Sequence, residues 1–313
     1  MNVRHARAYF LPSNGLGEAG MSESREALAA YSQAVRLRPD YAEAYNNRGN
    51  VNSNLGQYEE AVKDYDRAVH SKPDLVDAYI NRANAKAALQ QYQDAIDDLG
   101  SAIRFDAENV FAFLNRGLLL AELGEYGDAL VDLDEAVRLE PDYERAYLVR
   151  GSVKRGVGRS PEAIADIDSA IGLNPDNSEA YNSRGLLQVE LGRYEAAVAD
   201  YGNAIRLRPE YGAAYNNRGV ALAKMGRLGA AVSDYDEAVR LLPESAEPYF
   251  NRGNAKERRG DYEDAIADYD QVIVRRPTDL EAHRNRAVVK AVLGRTEEAR
   301  SDFDRALEIA AGR

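Results

Sequence analysis

Eight alanines fall in a single column along this chain, at Ala61, Ala95, Ala129, Ala163, Ala197, Ala231, Ala265 and Ala299, each about 34 residues after the one before. A step of constant length means that one supersecondary unit is copied in tandem, so the 313 residues need not be divided among domains with separate cores. Two further columns keep the step. One is aromatic, with Tyr45, Tyr79, Phe113, Tyr147, Tyr181, Tyr215 and Tyr249, and His283 last. The other is small, with Gly49, Ala83, Gly117, Gly151, Gly185, Gly219, Gly253 and Ala287.

Each period holds two stretches with apolar residues at three-and-four spacing, residues 42–55 and 58–71 in the first, which predicts a pair of amphipathic helices. Neither can bury its stripe alone, so the pairs are expected to stack. Gly56, Gly124, Gly158, Gly192, Gly226, Gly260 and Gly294 end first helices with a residue suited to positive φ, and Gln90 takes that place once. Pro73, Pro141, Pro175, Pro209, Pro243 and Pro277 close most second helices, because proline lacks the donor that the next turn needs. Ala107 and Ala311 stand there in the other two.

Small, aromatic and proline markers in this order resemble the tetratricopeptide repeat, whose W-x₂-L-G…A-x₃-F…P skeleton is kept with substitutions. The resemblance covers eight gapless units, 42–75, 76–109, 110–143, 144–177, 178–211, 212–245, 246–279 and 280–313. It implies an all-α fold, a right-handed superhelical solenoid of helix-turn-helix hairpins whose first helices line a concave, partner-binding groove. Upstream, Ala27, Tyr31, Ala34 and Pro39 continue the second-helix register, so residues 21–41 are expected to supply one more second helix. Pro12 and the glycines Gly15, Gly17 and Gly20 disfavour a helix before it, and residues 1–20 are expected to be a flexible leader. Arg300 stands where Val62 and its counterparts stand in earlier units, which suits a last helix with nothing stacked on it.

Where the family skeleton has Leu, this chain has Arg48, Arg82, Arg116, Arg150, Arg184, Arg218, Arg252 and Arg286. An acidic column matches it without a gap: Asp64, Asp98, Asp132, Asp166, Asp200, Asp234, Asp268 and Asp302. Matched columns of opposite charge predict one Arg–Asp bridge between the two helices of each unit. The competing reading, a basic ladder for a ligand, is disfavoured because the acids neutralise it.

Little else suggests chemistry. The run Gly15-Leu16-Gly17-Glu18-Ala19-Gly20 matches a dinucleotide fingerprint but lacks the strand and parallel sheet that the fingerprint needs. His5, His70 and His283 are too scattered for a triad or a metal site, and the paired Asp64/Asp66, Asp132/Asp134, Asp234/Asp236 and Asp268/Asp270 are expected to form a solvated or ion-paired face. With no cysteine, thiolate metal sites are excluded. No cofactor, metal or catalytic residue is expected. A net charge of −12 argues against nucleic acid. No stretch approaches the roughly 20 apolar residues of a membrane span, and the run Ala8 to Leu11 is too short for a secretory segment, so a soluble, cytoplasmic protein is expected.

The groove columns give the candidate binding residues. Asn47, Asn81, Asn115, Asn217, Asn251 and Asn285 share a column that Val149 and Ser183 interrupt. Asparagine carries a donor and an acceptor, so such a ladder can pair with an extended peptide backbone whatever its sequence. Asparagine is also common at this place in the family, and the sequence leaves both explanations open. At the interruption Phe111, Leu114, Leu118, Leu148, Val149 and Leu186 predict an apolar patch for anchors of a partner; packing between units is the alternative. Family members that hold chaperone C-terminal tails use Lys, Asn and Arg on successive first helices. Here Ile80, Leu114, Leu148 and Val149 occupy places where charge is needed, so chaperone tails are not expected. The expected function is a non-catalytic scaffold for a protein or peptide partner, or else a substrate-recruiting or regulatory subunit of an enzyme on another chain.

Overall fold

A computed structural model describes residues 18–312, and all the regular structure in them is α-helical. The chain divides into two compact units, residues 1–169 and 170–313. Each is an all-α stack of helical hairpins, of the repeat-solenoid class. In the first, α1 (Glu18–Leu37) precedes three hairpins: α2 (Ala42–Asn54) with α3 (Tyr58–Ser71), α4 (Val76–Ala88) with α5 (Tyr92–Phe105), and α6 (Val110–Glu122) with α7 (Tyr126–Leu139). Then come α8 (Glu144–Gly156) and α9 (Ser160–Leu173), the latter running past the unit boundary. The second holds α10 (Ser178–Glu190) with α11 (Tyr194–Leu207), α12 (Gly212–Lys224) with α13 (Leu228–Leu241), α14 (Ala246–Arg259) with α15 (Tyr262–Arg275), and α16 (Leu280–Val292) with α17 (Thr296–Ala310). Residues 1–17, with most of the expected leader and the first glycines of the dinucleotide-like run, lie outside the described residues. Glu18, Ala19 and Gly20 belong to α1. No described helix is long and apolar enough to cross a membrane.

The small column exists because the two helices of a hairpin nearly touch. A Cβ placed on Gly49 would lie 2.6 Å from the ring of Tyr65, and one on Gly185 would meet Tyr201 at the same distance. Those tyrosines are almost wholly buried, and truncating such a side chain typically costs about 3–5 kcal/mol. Gln90 has φ 63°, the only positive φ at a described residue other than glycine, and so pays a small strain where the other repeats use glycine. The aromatic column reaches back to the turn before its own helix: Tyr79 and Tyr147 donate to the carbonyls of Pro73 and Pro141 at 3.1 and 3.2 Å. His283 Nε2 makes the same bond to Pro277 at 3.1 Å, a structural role for this histidine.

All eight Arg–Asp bridges form. In repeat 3, Arg116 Nε and Nη2 each donate to Asp132 at 2.7 Å, a two-pronged geometry that the other seven repeat. The aspartates of these pairs are buried. Hydrogen bonding to Asp132 raises the pKa of Arg116 against the lowering effect of burial. The second aspartate column has its own part. The free prong, Nη1, of Arg82, Arg150, Arg252 and Arg286 donates to Asp66, Asp134, Asp236 and Asp270 on the preceding second helix. Each such guanidinium therefore ties its own hairpin together and joins it to the one before. In those same four repeats a lysine one turn along the first helix, Lys86, Lys154, Lys256 or Lys290, pairs with the buried aspartate at 2.7–2.9 Å.

Candidate functional site

The first helices carry the asparagine column, and the structure shows what holds it. Asn81 Nδ2 donates to Asn46 Oδ1 at 3.1 Å, and Asn115 Nδ2 to Asn84 Oδ1 at 3.2 Å, both within the first unit. In the second unit Asn217 and Asn251 donate to Asn182 and Asn216 at 3.0 Å, and Asn285 to Asn254 at 3.1 Å. Each of these five amides is thus fixed in orientation by a bond to the preceding repeat. Among the described contacts, no donor reaches their Oδ1 atoms. Asn47 is half-buried at the head of the column. The accepting residues Asn46, Asn84, Asn182, Asn216 and Asn254 belong to two further columns that sequence reasoning passed over; their signal was a second asparagine beside or three residues beyond the first, except at Asn182, whose neighbour in the ladder column is Ser183.

The expected apolar patch is corrected in part. Leu114, Leu118 and Val149 are buried, with exposures of 2 % or less, in one cluster with Val110, Leu133 and Val153. They have no surface to offer a partner. The column alone does not decide this: Asn46 and Ile80 share the Leu114 column and are buried as well, but Leu148 of the same column is half-buried and Arg284 exposed, so it is the packing of these residues with Val110, Leu133 and Val153 that removes them from the surface. Leu186 packs partly against Ala197, Tyr201 and Ala221 in the second unit. Leu148 is half-buried, and Phe111 is 53 % exposed with its ring edge-on to Tyr143 at 5.8 Å. Phe111 alone keeps a large apolar surface.

Cavities in the described residues include one in each unit beside the first-helix faces or the bridges. One, in the first unit, is lined by Ile96, Arg116, Leu120, Asp128, Val131 and Asp132 and sits over the Arg–Asp pair of repeat 3. The other, of about 220 Å³, is enclosed by α12, α13 and α14 and lined by Val220, Ala223, Lys224, Tyr235, Asn251, Asn254, Ala255 and Arg258. Its tyrosine differs from Tyr65 and Tyr269 and resembles Tyr201, which has Leu186 in the place of their asparagine. Tyr65 and Tyr269 donate to Asn50 and Asn254 at 2.8 Å, but Val220 stands where Tyr235 would find that asparagine, and its hydroxyl has no hydrogen-bond partner among the described contacts. Burial first, and the charge of Asp234 second, push the Tyr235 pKa far above the ordinary tyrosine range, so the hydroxyl stays protonated and can only donate or accept as a neutral group. No cluster of three or more metal-ligating side chains occurs among the described residues.

Comparison with known proteins agrees with this geometry. The tetratricopeptide repeat pattern matches residues 80–144, 114–178, 148–203 and 250–313, and closely related patterns of the family match 42–75, 212–245, 25–56 and 187–226. No curated protein matches the sequence. Among solved structures, YrrB, described as a TPR protein with an unusual peptide-binding site, is 25 % identical, with 59 % of this chain and 95 % of that one covered and a TM-score of 0.50. A tetratricopeptide repeat protein from Parabacteroides merdae is 20 % identical over 79 % of this chain and 98 % of its own, with a TM-score of 0.61. The APC/C hetero-tetramer Cut9-Hcn1 gives 16 % identity over 85 % of this chain and 52 % of that one, with a TM-score of 0.62. These last two share the fold alone. Since the repeat pattern matches more than half of its length and the hairpins have the packing that the pattern encodes, the chain belongs to the tetratricopeptide repeat family.

Proposed function

We propose that this protein is a non-catalytic scaffold that holds an extended segment of a partner protein along the first-helix faces of its repeats. The observation that carries the reading is the fixed asparagine column. Asn81, Asn115, Asn217, Asn251 and Asn285 each use one N–H on the preceding repeat and keep Oδ1 without a partner. A row of oriented acceptors at one-repeat spacing suits the N–H groups of a backbone, and its order before binding lowers the entropy that binding must overcome. YrrB, described as a TPR protein with an unusual peptide-binding site, supports a peptide ligand for a chain of this kind. Phe111 and Leu148 remain the apolar contacts of the proposed surface in the first unit, and burying a phenylalanine there contributes about 1.5–3 kcal/mol. A protein of the cytoplasm is proposed, the compartment that a chain without cysteine suits.

The test is affinity capture with mass spectrometry, followed by hydrogen exchange on the full chain with the captured partner. Protection is expected on the first helices of the repeats. Protection confined to the second helices would reject the proposal. A Phe111→Asp variant with unchanged circular dichroism is expected to capture less partner.

A further inference from the structure

We propose that the cavity enclosed by α12, α13 and α14 is a seat for the side-chain carboxylate of an aspartate or glutamate in the partner segment. This rests on the first-helix face being the binding surface. The groups around the cavity are donors left over after the protein's own bonds are made. Tyr235 is 2 % exposed, lines the cavity and has an unpartnered hydroxyl. With no protein partner among the described contacts, that hydroxyl is available to a ligand in the cavity that accepts from it. Asn254 Oδ1 accepts from Asn285 at 3.1 Å and shares the single hydroxyl hydrogen of Tyr269 with Glu257, which turns its oxygen away from any ligand and leaves its own amide hydrogens free. Asn251 keeps one N–H beyond its bond to Asn216.

The charges agree with the donors. Lys224 has no described ion pair, and Arg258 is anchored by Nη1 on the carbonyl of Ala223 at 3.2 Å, with its remaining N–H groups unused. These two share a column that holds no other cation in the eight repeats, in a protein whose net charge is −12. The acids closest to the site are already engaged: Glu247 accepts from Asn216 at 3.1 Å and Glu257 from the Tyr269 hydroxyl at 2.6 Å. Val220 and Ala255 supply apolar walls, against which the methylenes of the entering side chain pack. The source is a side chain rather than a chain end because the asparagine column continues on both sides of the cavity, at Asn217 and Asn285, so the segment passes over it.

Three alanine-based nonapeptides serve as probes against the full chain: one blocked at both ends with a central Glu, the same peptide with Gln, and an all-alanine peptide with a free C-terminal carboxylate. The readout is the side-chain amide resonances of Asn251 and Asn254. The Glu peptide is expected to shift them saturably, with affinity about tenfold or more above that of the Gln peptide and falling as salt rises. Two variants are expected to erase that preference. Lys224→Gln with Arg258→Gln removes the charge, and Val220→Asn gives Tyr235 the internal partner that Asn50 gives Tyr65, in a residue that repeats 1 and 7 already tolerate. Equal affinity for the Glu and Gln peptides, with shifts along the asparagine column, would overturn the seat and leave the first-helix surface standing. Tighter binding of the free C-terminus would overturn the side-chain source. Absence of shifts on any first helix with all three peptides would overturn the surface itself.

Discussion

Repeats 2 and 3 are neighbours in the first unit, and they stabilise the same buried seam in different ways. In repeat 2, Arg82 and Lys86 face Asp98 within the hairpin and Asp66 on the preceding helix, two cations against two acids. In repeat 3, Arg116 faces Asp132 alone. Gly100 stands where the second acid would be, and Leu120 where the lysine would be. The second unit repeats the contrast: Arg252, Lys256, Asp268 and Asp236 in repeat 7 against Arg218 and Asp234 in repeat 6, with Gly202 and Leu222 at the vacant places. Repeat 1 replaces both members by uncharged ones, Ser32 and Asn52, which still bond Arg48 and Asp64. The second acid and the lysine come and go together: where a second, mostly buried cation joins the Arg–Asp pair, a half-exposed acid at its edge offsets the added charge. Only repeat 5, with Asp168 and Gln188 in these columns, departs from the rule.

The largest effect that tests this contrast is expected from Asp98→Ala, which leaves Arg82 and Lys86 facing a vacancy. A loss of about 3–5 kcal/mol is expected in urea unfolding. Asp132→Ala in repeat 3 is expected to cost less, since it strands one cation rather than two and the Arg116 side chain is 26 % exposed where that of Arg82 is 14 %. Equal losses would break the comparison. Next in size is the effect of acid on repeat 8. Burial pushes the Asp302 pKa up, but Arg286 and Lys290 outweigh it and hold the group below its ordinary value. A carboxylate lowered in the folded state adds stability that is complete above its unfolded pKa and disappears as pH falls through the folded one. Thermal midpoints of the native protein and Asp302→Asn should therefore differ near neutrality and converge below the ordinary aspartate range.

A smaller effect separates charge balance from contact loss. Lys86→Leu alone leaves a surplus acid, whereas Lys86→Leu with Asp66→Gly converts repeat 2 to the repeat 3 pattern. The double variant is expected to be less destabilised than the sum of the singles by about 1 kcal/mol in a double-mutant cycle. The smallest change is Asp66→Ala, about 0–1 kcal/mol, because that carboxylate is 55 % exposed and screened by water.

The fold was legible because a fixed period needs only spacing to be seen, and the Arg48–Asp64 type of bridge because two columns of opposite charge matched without a gap. The role of Asp66 and its counterparts was harder to read. Asp64 and Asp66 sit two apart on one helix and do not face each other; one meets the Arg of its own hairpin, the other the Arg of the next, and only packing reveals which. Leu114, Leu118 and Val149 misled for a related reason, since a column shows that positions are equivalent but not whether they face the interior. Tyr235 left no positive sign at all. Its lack of a partner becomes visible only after the Tyr65–Asn50 bond is known, because the informative residue is the valine that replaces an asparagine.

The guanidinium that reaches both its own aspartate and the one before it also decides where such a chain can be cut and rejoined. Gly100 and Leu120, which must change in concert, lie on α5 and α6, in different hairpins by sequence but on opposite sides of one seam. The segment that can be transplanted without stranding a charge is therefore a second helix with the first helix that follows it, displaced by half a period from the hairpin by which the repeats are counted. Grafts and duplications made on that displaced frame keep each second acid with the lysine that offsets it, in every repeat but the fifth, and those made at hairpin borders mix the two kinds.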